Sequence, residues 1–382
     1  MKKKVVEYKL QIERLKGEIE VLKNMNPKFI IACDTLPGGT FDRDKLPAIR
    51  EALKGYEHEI IDLFEFNSLE EAHEIRRGDI KKWFAKADLK KLNRKFTEKV
   101  FSSSRIPPGY SDMPFAMGKN ILILGTLDLV SLFLFPETIK QLQWHMPVVC
   151  MFGDDEFMLN RHAHWVERFN KCVVYVKWCA DYYNNIVPGS TYYLPWGCHF
   201  KERDFDKLQV PEKEKEYDVI FIGSEFGNRF RIVGEFNQHW SKCLRFKVFG
   251  GEDWLKVPLL PMEQYGGFLD AENIGPTIRK SKLTVVGAGD HLTGEPHMTG
   301  TLWAVIKEGQ LPICSYYPVP IEDYGLGVPM FFESNVRGQV ESLLESPGKR
   351  IAKARELFEK TKRDFDFVNL YRDLFQKIER DL

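Results

Sequence analysis

The sequence predicts an α/β chain of two Rossmann-like domains facing each other, preceded by an N-terminal heptad helix. Three observations carry this. Short β-branched or apolar runs alternate with amphipathic stretches through both halves. Most of these runs end in glycine-rich or polar loops. A dense charged segment, 201–216 (KERDFDKLQVPEKEKE), separates the halves and reads as a linker.

The domain reading is therefore a helix at 1–26, a first Rossmann-like domain at 27–200, the linker at 201–216, and a second at 217–364. A C-terminal helix at 365–382 is read as packing back on the first domain. A chain of 382 residues exceeds one ordinary core, and its 43% hydrophobic content supplies two. Lys and Arg number 55, as do Asp and Glu, so net charge favours no polyanionic partner. Seven scattered cysteines without a CxxC pair, several in apolar strands, predict reduced buried thiols and a cytoplasmic protein. The N-terminus lacks the apolar region of a secretory signal. The most apolar run, 121–136, is shorter than the about 20 residues a membrane span needs and contains Asp128. No membrane span is predicted.

In chain order, Val5, Tyr8, Ile12, Leu15, Ile19 and Leu22 form a heptad seam. It reads either as a dimerising coil or as a helix packed on its own domain. Pro27 ends it, and FIIAC (29–33) is the first strand. Gly38 and Gly39 follow; the pair suits an acceptor-side loop of a nucleotide- or sugar-binding domain, or an ordinary turn. A helix at 46–53 and a strand at 59–64 complete a βαβ opening, which predicts a parallel sheet. From Lys81 to Lys99 basic residues crowd a helix with an apolar stripe. This is either a solvated face or a platform for an anionic acceptor such as DNA. Strands at 120–125 and 147–152 follow, the latter running into Gly153-Asp154-Asp155-Glu156, then strands at 171–177 and 191–195, ending at Trp196-Gly197 on the acceptor side.

The second half opens with YDVIFIG (217–223), then Ser224 and Arg229 at a helix start, and a strand 244–249 ending in Gly250-Gly251. The stretch from Lys280 to Ser315 then reads strand, Gly-rich loop, helix, strand. A loop from a strand's carboxyl end into a helix N-terminus is where α/β folds hold pyrophosphate. Amphipathic helices close the chain.

YDVIFIGSEFGNR, the Gly-Gly strand end, KSKLTVV and LWAVIKEGQLPICS together resemble the C-terminal domain of group 1 glycosyltransferases, most of all the CgeB-like branch. PVVCMFGDDEF resembles the acidic motif in the N-terminal half of that branch. The resemblance implies a GT-B fold with the active site between the domains. It further implies a UDP-linked sugar nucleotide as donor on the second domain, a hydroxyl acceptor on the first, and no separate cofactor. Donor contacts would be Gly223, Ser224, Arg229, Gly250, His291, Glu295, His297, Thr299 and Thr301. Arg229 can bind phosphate bidentately or simply cap a turn; Lys280 and Lys282 are alternative cations. Thr299 and Thr301 offer hydroxyls or a helix cap. Asp154 and Asp155 are the catalytic candidates: one as general base in an inverting reaction or for positioning in a retaining one, or one as a helix cap. Asp154 and Glu156 have the spacing of a metal-binding acid pair, but the GT-B resemblance implies no metal. One departure stands out. Retaining members carry a spaced pair of glutamates here; aligned on Gly309, those positions hold Pro296 and Ala304, with Glu295 adjacent and Glu308 elsewhere on the helix. A non-catalytic sugar- or nucleotide-binding module that oligomerises through the N-terminal helix is the alternative reading.

Overall fold

The computed structural model describes residues 10, 13, 16, 26–33, 45–63, 88–105, 119–125, 134–153, 162–225, 229–240, 244–258, 260–287, 300–315, 330–331 and 336–382. The heptad seam residues Val5, Tyr8, Ile12, Leu15, Ile19 and Leu22 lie outside them. The chain divides into two compact units: 1–195 with 370–382, and 196–369.

The first unit holds a parallel sheet of strands β1 (Lys28–Cys33), β2 (His58–Asp62), β3 (Asn120–Gly125), β4 (Val148–Met151), β5 (Lys171–Val174) and β6 (Thr191–Tyr193). Their order is β2-β1-β3-β4-β5-β6, and every pairing is parallel. Parallel strands are covered on both faces, which explains why these runs are apolar without alternation; Phe29 through Cys33 are all fully buried. Helices α1 (Lys45–Ala52), α2 (Leu89–Ser103), α3 (Pro136–His145) and α4 (Lys177–Ile186) connect them. Leu92, Phe96 and Val100 of α2, Ile139 and Leu142 of α3, and Cys179 and Tyr183 of α4 share a core with Ile30, Ala32, Leu122 and Leu124. The apolar stripe of the basic helix is thus inward, and Lys90, Lys91, Arg94 and Lys95 are exposed.

The second unit begins with a short helix α5 (Phe205–Leu208) and continues through β7 (Tyr217–Ile222), α6 (Arg229–Trp240), β8 (Phe246–Phe249), β9 (Tyr265–Gly267) and α7 (Ala271–Arg279). It then runs through β10 (Ser281–Gly287), α8 (Gly300–Lys307), β11 (Leu311–Ser315), β12 (Met330–Phe331), α9 (Val336–Glu345) and α10 (Pro347–Asp364). Its sheet order is β12-β11-β10-β7-β8-β9, again all parallel. The charged segment 201–216 is packed into this unit. Phe205 and Lys215 are buried, the Gln209 amide donates to the Gly309 carbonyl at 3.0 Å, and Lys215 Nζ donates to Arg279 O at 2.6 Å, Ser281 O at 3.1 Å and Gln310 Oε1 at 3.2 Å.

Helix α11 (Phe367–Asp381) starts in the second unit, and residues 370–382 belong to the first. There Phe375 packs 5.2 Å from Phe29, Glu379 accepts from the Tyr56 hydroxyl at 2.7 Å, and Asp381 accepts from the Tyr192 hydroxyl at 2.9 Å. Burial and the Glu379 carboxylate push the Tyr56 hydroxyl up to about 12. Among the described residues, Cys33, Cys150, Cys172, Cys179, Cys198 and Cys314 are buried and form no disulfide. No helix among the described residues is long and apolar enough to cross a membrane.

Candidate functional site

Each sheet has one topological switch point, where neighbouring strands send their connections in opposite directions. It lies between β1 and β3 in the first unit and between β7 and β10 in the second. Ligands of open α/β sheets bind beyond the carboxyl ends of strands at such points.

In the second unit, β7 ends at Ile222 and leads to Gly223 and Ser224; β8 ends at Phe249 and leads to Gly250. The backbone locks these ends together: Gly223 N donates to Phe249 O at 3.0 Å, and Gly250 N to Gly267 O at 3.0 Å. Trp254 Nε1 donates to Gly223 O at 2.8 Å, and the Tyr265 hydroxyl to Gly250 O at 3.1 Å. Gly250 has no alternative as a residue type here. A Cβ on it would stand 2.2 Å from Gly223 O and 2.7 Å from Trp254 Nε1. Arg229, the first residue of α6, swings back over this corner and donates from Nη1 to Ser224 Oγ at 2.9 Å. The structure thus brings Gly223, Ser224, Arg229 and Gly250 together at the ligand edge. A guanidinium beside a helix N-terminus with no acid in its first turn is a cationic corner suited to an anion.

Across the switch point, β10 ends at Gly287, where the chain passes Ile232 so closely that a Cβ would meet its Cδ1 at 2.7 Å. Thr301 lies in the first turn of α8, which carries no acid there. Leu302, Trp303, Val305 and Ile306 face the core, leaving Gly300, Thr301, Ala304 and Lys307 as the less buried stripe. That stripe has no carboxylate. Glu308 does not compensate: only 3% exposed, it is held by Arg203 Nη1 at 2.8 Å and by Arg279. Gly275 leaves room for its side chain, since a Cβ there would stand 2.9 Å from Glu308 Oε1.

Two expectations need correcting. Lys280 and Lys282, read as alternative phosphate cations, sit at the amino end of β10, paired with Glu216 at 2.6 Å and with Asp218 at 2.8 Å. Their short spacing to the strand start puts them at the edge opposite the ligand loops. Trp196, read as an acceptor-side residue, lies just past the chain's crossing and packs against the core of the second unit. Gly38, Gly39, Asp154, Asp155, His291, Glu295, His297 and Thr299 lie outside the described residues.

The first unit's ligand edge holds a group that sequence reasoning missed. Lys45 opens α1 yet is only 4% exposed, and its Nζ stands 4.1 Å over the Tyr175 ring. Tyr175, just past β5, pairs its hydroxyl with that of Tyr371 at 3.2 Å. Tyr371 is fully buried, and burial pushes its hydroxyl well up, aided by Tyr175. A lysine at the first position of a helix, against the dipole, was the available signal. Among the described residues, no group of three His, Cys, Asp or Glu side chains could hold a metal ion.

No protein-family model matches the chain, and no curated protein matches it in sequence. Solved structures are similar in fold. The N-terminal domain of Candida albicans trehalose-6-phosphate phosphatase gives a TM-score of 0.60 at 11% identity, over 93% of this chain and 97% of that one. Anabaena HepE, solved with UDP and glucose, gives 0.58 at 10% identity, over 93% and 100%. An α,α-trehalose-phosphate synthase (UDP-forming) from Burkholderia vietnamiensis gives 0.57 at 8% identity, over 93% and 100%. With its two parallel sheets and flanking helices, the chain therefore has the GT-B architecture of two Rossmann-like domains.

Proposed function

We propose that this protein is a glycosyltransferase that takes its sugar from a nucleoside diphosphate sugar, UDP-linked as in HepE, and passes it to a hydroxyl acceptor. The observation that carries the reading is the corner formed by Gly223, Ser224, Arg229 and Gly250 at the switch point of the second sheet. In the proposed reaction the acceptor oxygen bonds to the anomeric carbon. The bond from that carbon to the diphosphate oxygen breaks, and its electron pair leaves with the nucleoside diphosphate. The hydroxyl proton passes to a carboxylate, for which Asp154 and Asp155 are the candidates. Arg229 and the α6 N-terminus offset the charge on the departing diphosphate. The resemblance of YDVIFIGSEFGNR and PVVCMFGDDEF to motifs of the CgeB-like branch supports reading the chain as a member of that branch.

Isothermal titration with UDP and UDP-glucose tests this reading. Arg229→Ala should weaken UDP binding by about tenfold or more, the worth of a charge-assisted hydrogen bond to phosphate; unchanged affinity overturns the assignment. A second reading, a nucleotide-sugar binding module without turnover, is favoured by the absence of any carboxylate on the less buried stripe of α8. UDP-glucose binding without release of UDP on any acceptor would select it.

A further inference from the structure

We infer that the first unit binds a compact apolar ring bearing an amine, in a cavity at the amino edge of its sheet, with the ammonium group on Glu379.

The cavity measures about 170 Å³. It lies where β1, β3 and β4 begin, at the edge opposite the one where switch-point ligands bind. Pro27, Ile121, Met146 and Pro147 supply apolar walls, and Glu379, in the last turn of α11, lines it from another side. All five belong to the first unit. Close-packed interiors leave few voids larger than a water molecule, so a space of this size is not a packing residue. An engineered apolar cavity of about 150 Å³ admits benzene; the space here accepts one six-membered ring.

The polar groups on the wall decide what the ring carries. Asn120 Oδ1 accepts from the Arg105 amide at 3.0 Å. His145 packs edge-on against Phe101, with ring centroids 4.9 Å apart, and Lys119 is engaged within the chain. Glu379 accepts from the Tyr56 hydroxyl through Oε2 at 2.7 Å. Burial, then that bond to Glu379, pushes the Tyr56 hydroxyl up to about 12, so it stays a donor and keeps Oε2 occupied at neutral pH. Oε1 has no hydrogen-bond partner among the described residues. An open carboxylate oxygen beside apolar walls selects a positively charged donor, because a charge-assisted hydrogen bond is about twice as strong as a neutral one. Apolar walls with one or two placed polar groups are the build of small-molecule sites, the polar group fixing the ligand's orientation. An anionic ring would meet the carboxylate with like charge, and an amine without a ring would leave the apolar walls uncovered.

Isothermal titration of the full chain at pH 7 tests this with benzylamine as the probe and benzyl alcohol, phenylacetate and methylamine as comparisons. Benzylamine should bind about tenfold tighter than benzyl alcohol, the worth of exchanging a neutral hydrogen bond for a charge-assisted one. Phenylacetate and methylamine should not saturate. Glu379→Gln should erase the preference for the amine and leave benzyl alcohol binding unchanged. Ile121→Phe, which fills the cavity, should weaken both ring ligands by about tenfold or more. Glu379 is only partly buried, so its variant reads the site even if Ile121→Phe fails to fold. UDP, placed in the second unit by the glycosyltransferase reading, should not compete with benzylamine. No saturable benzylamine binding, equal affinity for benzylamine and benzyl alcohol, a preference that survives Glu379→Gln, or competition by UDP would overturn the inference.

Discussion

The indole Nε1 of Trp254 donates to the carbonyl oxygen of Gly223 at 2.8 Å, and this bond ties the end of β7 to the turn after β8. Gly250 lies between the two, with no space for a methyl group. Gly250→Ala should cost about 1–3 kcal/mol, as overpacking does in dense interiors, and should weaken UDP binding because it displaces the Gly223-Ser224 backbone. Trp254→Phe keeps the ring and removes the donor; about 1 kcal/mol should be lost. Urea denaturation and UDP titration of both variants check this pair.

Glu308 is a structural carboxylate. Removing its charge leaves Arg203 and Arg279 facing each other without compensation, so Glu308→Gln should destabilise by about 3 kcal/mol, as breaking a buried ion pair does. UDP affinity of the folded variant should be unchanged. Intact stability with lost UDP binding would instead place this carboxylate at the donor.

Acid sensitivity should concentrate at Asp218. Burial works against its ionised form, but hydrogen bonds from Arg245 and Lys282 prevail and hold the carboxyl well below the usual range. A group with a depressed folded-state pKa stabilises fully above its unfolded value and loses that contribution as pH falls toward the folded one. Chemical denaturation from pH 6 to pH 3 should show wild type losing stability more steeply than Asp218→Asn, which should already be about 2 kcal/mol weaker at neutral pH.

Lys215 should act in the alkaline range with the opposite cause. Burial, then the Arg350 guanidinium, pushes its ammonium down to about 8 from an ordinary 10.5. Between those values the unfolded chain binds more protons than the folded one, so this group makes stability rise with pH across that window. Comparing wild type with Lys215→Met from pH 7.5 to pH 10 isolates the contribution. The rise should vanish in the variant, and an identical pH profile would remove the assignment.

The sheets were readable because parallel strands leave unbroken apolar runs: FIIAC, NILILG and YDVIFIG mark β1, β3 and β7 within a residue or so. β9 escaped because Tyr265–Gly267 is three residues long and contains two glycines, which signal a turn. The segment 201–216 read as a linker because its charges show no apolar period. Its anchors are Lys215, bonded to Ser281 and Gln310, and Gln209, bonded to Gly309. Such pairings, many residues apart in sequence, leave no local periodicity. At the site, Arg229 and Gly250 could be picked out from their positions at strand ends. Lys45 shows in the sequence only as a lysine at a helix start; its partner Tyr175 lies far along the chain, and only folding brings them together.

The return of residues 370–382 to the first unit has a consequence for biosynthesis. A ribosome delivers β1 through β6 early, but the residues that place Phe375 on Phe29 and Glu379 on Tyr56 emerge only after the whole second unit. The second unit can close while it is being made; the first must wait with one part of its sheet bare. Nascent chains halted before residue 370 should therefore hold a protected second unit and a protease-sensitive first one, and chaperone demand should fall on the earlier half of the chain.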